Sequence, residues 1–440
     1  CAGGNARPAA AHHCSTLPDA GMIAAKVAPV MTRTSAWAVA VVMVVSIGCS
    51  SSPGSSVDGD ASDGGDAAVD AAAPYDGPFN LPDGHPTTVQ LTGCGGPGYA
   101  ANFAVGSGTF QLTIDTGSGT LAVASNSCTN CSVSKVYVPG PNAVDQEQMA
   151  TDIYQQGTWT GEIYSDSVKL VGLGASVDMN FAAIDSQSGF FKDGGCAFGA
   201  RPFAPQGIVG FGPPGLARPG TDAFLSKLTV MGAALDVFAV EFCSWGGQLM
   251  LGGVDPHKGQ LTGPATYTPL VISQYYTASL TDMKLSGESL GFGANDFATT
   301  VVDTGTSVLA LPSAVFKSLS SKIEGSAAFV KAFDGKVGWF GTTTCLSSSL
   351  TPEQIDSELP TLTLSFPGTD GGSVSLTLKA TDSYLPFTTS DETYYCSGIY
   401  ENTDGAEART ILGTSAMLGH VVIFDLAGGR LGFAPQDFCP

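Results

Sequence analysis

The sequence predicts a mainly β protein built as two similar β-rich lobes, and three observations carry that expectation. Glycine is abundant, 57 of 440 residues, and turn residues punctuate short apolar runs throughout, as in a β-rich chain. Several of those runs, such as Tyr99 to Gly106 and Thr109 to Ile114, alternate with period two, which turns one set of side chains to a core. The third observation is a pattern that occurs twice. Leu112-Thr113-Ile114-Asp115-Thr116-Gly117-Ser118 comes first, and Thr300-Val301-Val302-Asp303-Thr304-Gly305-Thr306 follows in the second half. A single Asp-Thr-Gly is weak evidence, but two copies with matching flanks indicate one structural unit used twice, bringing two carboxylates face to face.

Bulk properties narrow the function classes. Acidic residues number 39 against 18 basic ones, a formal charge of −21, which excludes nucleic acid and an anionic membrane face as partners. A chain of 440 residues can bury a large core in two or three domains.

In chain order, residues 1–30 carry no usable pattern. Met31 is the expected start of a signal peptide over 31–49. Thr32-Arg33-Thr34 supplies a short basic region, and Ala36 to Gly48 is an apolar run too short to span a membrane. It ends Ser46-Ile47-Gly48-Cys49, which resembles a bacterial lipobox and makes Cys49 the expected lipidation site. The bland alternative is a plain secretory signal with a chance cysteine. Residues 50–84 are Ser, Gly, Asp, Ala and Pro without Lys or Arg. They bury too little to offset ordering entropy and should form a flexible acidic linker.

The folded body divides into an N-terminal lobe over 85–260 and a C-terminal lobe over 261–440. Strands are expected at Tyr99–Gly106, Thr109–Ile114, Gly161–Leu170 and Gln206–Gly210. A helix from Asp222 to Met231 should bury Phe224, Leu225, Leu228 and Met231, with Thr221 as N-cap. Gln248 to Asp255 closes the first half, and His257 to Pro264 is the expected crossover. In the second half a helix from Ser313 to Ile323 presents Val315, Phe316, Leu319 and Ile323. Thr410-Ile411-Leu412-Gly413 then matches Gly207-Ile208-Val209-Gly210.

Two carboxylates at close range cannot both ionise comfortably, so one keeps its proton. Such a pair can deprotonate a water with one oxygen and protonate a departing group with another. Gly117 and Gly305 are expected to permit a tight turn that aims amide N–H groups at the carboxylates. Ser118 and Thr306 can donate to the outer oxygens, and Thr116 and Thr304 can lock the two loops together.

With these motifs the chain resembles a pepsin-like aspartic endopeptidase from about Thr88 to Phe438. The paired Asp-Thr-Gly motifs carry the likeness, with the apolar-apolar-Gly strand of each half. Leu251-Gly252-Gly253-Val254-Asp255 and Phe424-Asp425 to Gly432-Phe433-Ala434 add to it. The resemblance implies the bilobal pepsin-like acid protease fold, its lobes related by a pseudo-twofold with the active site between them. It also implies Asp115 and Asp303 as catalytic residues, and a flap hairpin with a tyrosine near its tip. Ile153-Tyr154-Gln155-Gln156-Gly157-Thr158-Trp159 fits that flap, with Tyr154, Gly157 and Trp159 as its substrate-binding residues.

Two departures stand out. The family commonly places a tryptophan after the first motif to hydrogen-bond the flap tyrosine. Leu121-Ala122-Val123-Ala124 stands here instead, and Trp159 is the candidate to fill the space. The basic prosegment of eukaryotic members also has no counterpart in residues 50–84.

Other motifs have bland readings. Gly210-Phe211-Gly212-Pro213-Pro214-Gly215 matches G-x-G-x-x-G formally, but prolines fill the turn and no βαβ pattern follows. Cys128-Thr129-Asn130-Cys131 reads as a small disulfide, since an exported chain with no second CxxC is a poor zinc or redox candidate. Setting aside Cys1, Cys14 and Cys49 leaves an even number of cysteines. Cys345 with Cys396 resembles the family's C-lobe bridge, which would stabilise by about 4 kcal/mol in the chain-entropy model. Cys243 with Cys439 resembles a pairing of plant-type members, and Cys94 with Cys196 remains. The scattered histidines offer no metal-ligand spacing, so no metal or organic cofactor is expected. The sequence therefore points to an exported monomer, secreted or held at an outer membrane or cell surface only through lipid on Cys49. Its expected partners are protein or peptide substrates. The competing class is a catalytically inactive binding or inhibitor protein on the same scaffold.

Overall fold

Asp115 and Asp303 stand at equivalent places in two copies of one strand arrangement. In a computed structural model the described residues are 86–95, 98–155, 157–191, 203–254, 261–389, 393–403 and 409–436. The first half supplies strands β1 (Thr87–Cys94), β2 (Gly98–Val105), β3 (Gly108–Asp115), β4 (Leu121–Ala124), β5 (Val144–Tyr154), β6 (Gly157–Leu170), β7 (Val177–Ser188) and β8 (Gly207–Gly210). Helix α1 (Phe224–Val230), β9 (Val237–Phe242) and β10 (Gly247–Leu251) complete it. In the second half the strands that matter to the site are β11 (Thr266–Pro269), β12 (Thr300–Val302), β13 (Leu309–Pro312), β14 (Ile399–Asn402), β15 (Thr410–Leu412), β16 (His420–Asp425) and β17 (Arg430–Pro435), with helix α2 (Ser313–Glu324) after β13.

The repeat seen in the sequence is a repeat of topology. In the first copy β8 runs parallel to β3, with Ile114 opposite Val209, and antiparallel to β4. In the second, β15 runs parallel to β12, with Val302 opposite Leu412, and antiparallel to β13. A parallel strand then flanks each set, β7 beside β4 and β14 beside β13. Each apolar-apolar-Gly strand thus threads between the strand that delivers an aspartate and the strand that leaves it.

One 13-stranded sheet runs β11-β17-β16-β9-β10-β1-β2-β3-β8-β4-β7-β6-β5, so strands of both halves share it. The strands of the two halves meet where β16 pairs antiparallel with β9, with Phe238 opposite Phe424 and the rings stacked at 4.5 Å. The signal peptide, Cys49, the acidic linker and the first half of the expected crossover at His257 to Pro264 lie outside the described residues.

Helix α2 buries Val315, Phe316, Leu319 and Ile323 as its pattern predicted. Helix α1 differs from expectation at both ends. It starts at Phe224, with Ala223 at the cap position and no side-chain cap. Thr221 is engaged elsewhere, its hydroxyl donating to the Arg218 carbonyl at 2.8 Å, and Asp222 accepts from the Asn180 amide at 2.9 Å. Met231 lies beyond the last turn and is exposed, not buried.

Glu241 on β9 is fully buried, and neither of its carboxylate oxygens has a hydrogen-bond partner of good geometry among the described residues. Burial pushes its pKa up to about 7, only partly offset by the neighbouring Gln436 side chain. A carboxyl held neutral in the folded state contributes stability in full below its unfolded pKa of about 4.3, and that contribution is lost as pH rises through its folded value. Glu241→Gln should therefore raise the melting temperature at neutral pH and leave it nearly unchanged near pH 4. Thermal melts across that range read the difference.

Candidate active site

The two aspartate loops are bonded to each other symmetrically. The Thr116 amide donates to Thr304 Oγ1 at 3.0 Å, and the Thr304 amide donates to Thr116 Oγ1 at 2.9 Å. Each hydroxyl then donates onward to a carbonyl of the opposite strand, Thr116 to Val302 and Thr304 to Ile114, both at 2.9 Å. All four groups are buried, so every donor and acceptor in this cross-link needs its partner.

Each carboxylate is gripped the same way. The Gly117 amide donates to Asp115 Oδ1 at 2.7 Å and the Ser118 hydroxyl to Oδ2 at 2.5 Å. The Gly305 amide donates to Asp303 Oδ1 at 2.8 Å and the Thr306 hydroxyl to Oδ2 at 2.6 Å. These donors favour the charged form, yet burial and the charge of Asp303 raise the Asp115 pKa well above the usual carboxylate range. Burial also raises Asp303, against the pull of Thr306, Asp115, Gly305 and Gly117. The pair therefore titrates as a unit and retains a proton where isolated carboxylates have lost theirs.

The glycines act in two ways: each sits in the turn whose amide donates to its own half's aspartate, as expected, and each leaves room for the opposite aspartate. Neither Gly117 nor Gly305 has a positive φ. A Cβ on Gly117 would lie 2.7 Å from Asp303 Oδ1, and one on Gly305 would lie 2.2 Å from Asp115 Oδ1. Each glycine is the gap into which the other half's carboxylate fits. The same logic explains the glycine after each apolar pair. A Cβ on Gly210 would lie 2.4 Å from the Gly119 backbone, and one on Gly413 would lie 2.4 Å from the Thr306 carbonyl oxygen.

The β5–β6 hairpin comes near the pair, since the charge of Asp115 acts on its Tyr154. It closes with Tyr154 opposite Gly157, and Gly157 packs so closely on the end of β7 that a Cβ would lie 2.5 Å from the Phe190 amide nitrogen. Tyr154 is buried; its hydroxyl accepts from Trp159 Nε1 at 3.1 Å and donates to Asp152 Oδ2 at 3.3 Å. Ala122, Tyr154 and Trp159 belong to one apolar cluster. The indole thus reaches the flap tyrosine from the flap itself, beside the small alanine. Burial, then the charges of Asp152 and Asp115, keep the Tyr154 hydroxyl protonated far above its usual range.

Cys128 is bonded to Cys131, the small disulfide expected from the sequence. Sequence reasoning missed what that loop supports: its Asn130 exchanges three hydrogen bonds with Gln187. Gln187 Oε1 in turn accepts from the amides of Phe190 and Phe191, setting the Phe190 ring 5.2 Å from that of Tyr154. Cys345 is bonded to Cys396. Cys94 and Cys243 are disulfide-bonded too, but their expected partners Cys196 and Cys439 lie outside the described residues. Also missed was Asp152, an acid on the inward face of β5 that pairs with Arg218. A charge sharing strand parity with Ala150 and Tyr154 was a legible sign of a buried partner. The G-x-G-x-x-G stretch leads from β8 into a 3-10 turn (Pro214–Leu216), not a phosphate-binding helix.

Comparison with known proteins agrees with the geometry. The profile of the eukaryotic aspartyl protease family matches residues 98–436. The chain belongs to this family. As an aspartyl protease it is a hydrolase of the aspartic endopeptidase type, with the mainly β pepsin-like fold described above. Similar curated proteins include a beta-secretase of Strongylocentrotus purpuratus, 28% identical over 80% of this chain and 68% of its own length. An aspartic protease of Phaffia rhodozyma is 28% identical over 75% of this chain and 74% of its own. A gastricsin of Cavia porcellus is 28% identical over 74% and 76%.

Replacing Thr304 by Val would take its hydroxyl partner from the Thr116 amide and from the Ile114 carbonyl inside the buried cross-link. We expect a loss of about 2–3 kcal/mol in unfolding free energy, with Thr304→Ser close to wild type; denaturant titration measures both.

Proposed function

We propose that Asp115 and Asp303 are the catalytic residues of this aspartic endopeptidase, and that the chain cleaves peptides lying extended beneath the β5–β6 flap. The observation that carries the assignment is the symmetric placement of two buried carboxylates, each fitting the space over the opposite glycine. Aspartic proteases as a class share one proton between two carboxylates. In this reading one oxygen takes a proton from water as it attacks the peptide carbon, and the protonated partner donates to the carbonyl oxygen. Collapse of the resulting gem-diol returns a proton to the departing nitrogen, with no covalent enzyme intermediate. Thr116, Gly117, Ser118, Thr304, Gly305 and Thr306 hold the pair, and Tyr154 covers it, with Trp159 and Gly157 setting its position.

A preference for apolar residues around the scissile bond is supported by two apolar clusters. One includes Tyr154, Trp159 and Ile163, with Phe190 packed against it. The other joins Leu216 of the first half to Tyr275, Val301 and Ile411 of the second. A division into lobes at 85–260 and 261–440 fits the two copies of the strand arrangement. Disulfides support export, since such bonds persist in oxidising compartments. We assign the tether to lipid on Cys49, as in bacterial lipoproteins, and a monomeric state to the folded body.

Asp115→Asn and Asp303→Asn should each lower kcat/KM on a peptide with Phe-Phe at the scissile bond by roughly a thousandfold; wild-type turnover in either variant would sink the assignment. Because burial and mutual repulsion raise the pair, the alkaline limb of the kcat/KM profile should lie above the ordinary carboxylate range of about 4. An alkaline limb inside that range would contradict the shared proton. Mass spectrometry of the native N-terminus tests the tether. A diacylglyceryl mass on Cys49 is expected, and an unmodified start within the acidic linker would exclude it.

A further inference from the structure

Asp152 is a carboxylate on the inward face of the flap strand β5, two residues before Tyr154, with its side chain 1% exposed. Its Oδ1 accepts from the Ile153 amide at 2.9 Å and pairs with the Arg218 guanidinium. Its Oδ2 accepts from the Tyr154 hydroxyl at 3.3 Å. Arg218 is itself anchored in the frame of the aspartates. Its amide donates to Thr120 Oγ1 at 2.8 Å, and Thr120 ends the loop that carries Asp115. Its carbonyl accepts from Thr221 Oγ1 at 2.8 Å, and Thr221 Oγ1 lies 3.2 Å from Thr120 Oγ1. The neighbouring residue Ala217 packs against Gly119, where a Cβ would come 2.4 Å from the Ala217 amide nitrogen. An unbroken line of directional contacts thus runs from the Asp115 loop through Arg218 and Asp152 to Tyr154 and Trp159.

A buried ion pair adds little stability over apolar residues of the same shape, because desolvating both charges offsets their attraction. What it supplies is a fixed distance and direction between two elements, and breaking it leaves a buried charge uncompensated. Here the two elements are the hairpin over the carboxylates and the loop beneath it. We propose that Asp152 and Arg218 are positioning residues that latch the flap to the Asp115 loop and so set the height of Tyr154 above the aspartate pair. Asp152 neutralises Arg218 in this role, so the guanidinium does not serve as a receptor for an acidic substrate side chain. The proposal rests on the reading of Asp115 and Asp303 as the reacting pair.

Two measurements on the full chain separate the proposals. Hydrogen exchange of peptides covering residues 149–160 needs no turnover. In Asp152→Asn it should quicken about tenfold, the signature of a local opening, while exchange in β9 and β16 stays at the wild-type rate. On a peptide with Phe-Phe at the scissile bond, KM should rise about tenfold with a smaller fall in kcat, since the flap positions substrate rather than reacting with it. Arg218→Lys keeps the charge but loses the guanidinium fork and should fall between wild type and Asp152→Asn in both readouts. Should Asp152→Asn fold poorly, Arg218→Lys carries the test alone. Unchanged flap exchange in a folded variant overturns the latch. So does unchanged exchange with a new preference for Asp- or Glu-containing peptides, which would make Arg218 a substrate receptor. Failure of the Asp115 and Asp303 assignment would appear as retained hydrolysis in their Asn variants and would leave the exchange result standing.

Discussion

Two carboxylates pressed together out of water repel whenever both are charged, and nothing about them is self-supporting. Their separation has to be imposed by a frame stiffer than the repulsion it resists. That frame is the cross-link between Thr116 and Thr304, whose two amides and two hydroxyls satisfy one another and the carbonyls of Ile114 and Val302. Because each threonine sits one residue after an aspartate, the cross-link acts within one peptide unit of each carboxylate. The absent side chains of Gly117 and Gly305 then decide how close the carboxylates come.

Much of this was legible in the sequence because the frame is local and repeated. The two Asp-Thr-Gly turns, the hydroxyl at the next position and the apolar-apolar-Gly strands are each short enough to be read from consecutive residues. Pattern also placed α2 and its buried face. Physical cause was harder to read than position. The motif glycines are the turn residues they looked like, and what the sequence did not reveal is that each is also a site of close approach for the opposite carboxylate. Thr221 looked like a helix cap because Ser, Thr and Asp ahead of an apolar run usually are; its hydroxyl was claimed instead by the Arg218 carbonyl. Contacts between residues distant in sequence left the faintest traces. Nothing near Asn130 announces Gln187, and Asp152 signalled only that some partner must exist.

The β5–β6 hairpin carries the support of its own tyrosine. Ala122 is small, and Trp159, which shares its apolar cluster, supplies from the opposite strand of the hairpin the hydrogen bond to Tyr154. The donor now moves with the tyrosine it holds. On the far side, the small Cys128–Cys131 loop and Gln187 brace the Phe190 turn against the same ring. Tyr154 is thus steadied by indole, carboxylate and phenyl ring, each supplied by a different kind of interaction.

The pairing of β16 between β9 and β17 has a bearing on how the chain is made. As synthesis proceeds, β9 and β10 emerge early, yet one edge of β9 stays unpaired until His420–Asp425 arrives. An open edge of that kind invites association with other chains, and closing it requires a contact of long sequence separation, which is slow to form. The second aspartate loop also depends on β15, from the last portion of the chain, to complete its strand set. The face-to-face placement of the two carboxylates is therefore completed only when the polypeptide is nearly finished, and a chain truncated before β15 lacks part of its frame.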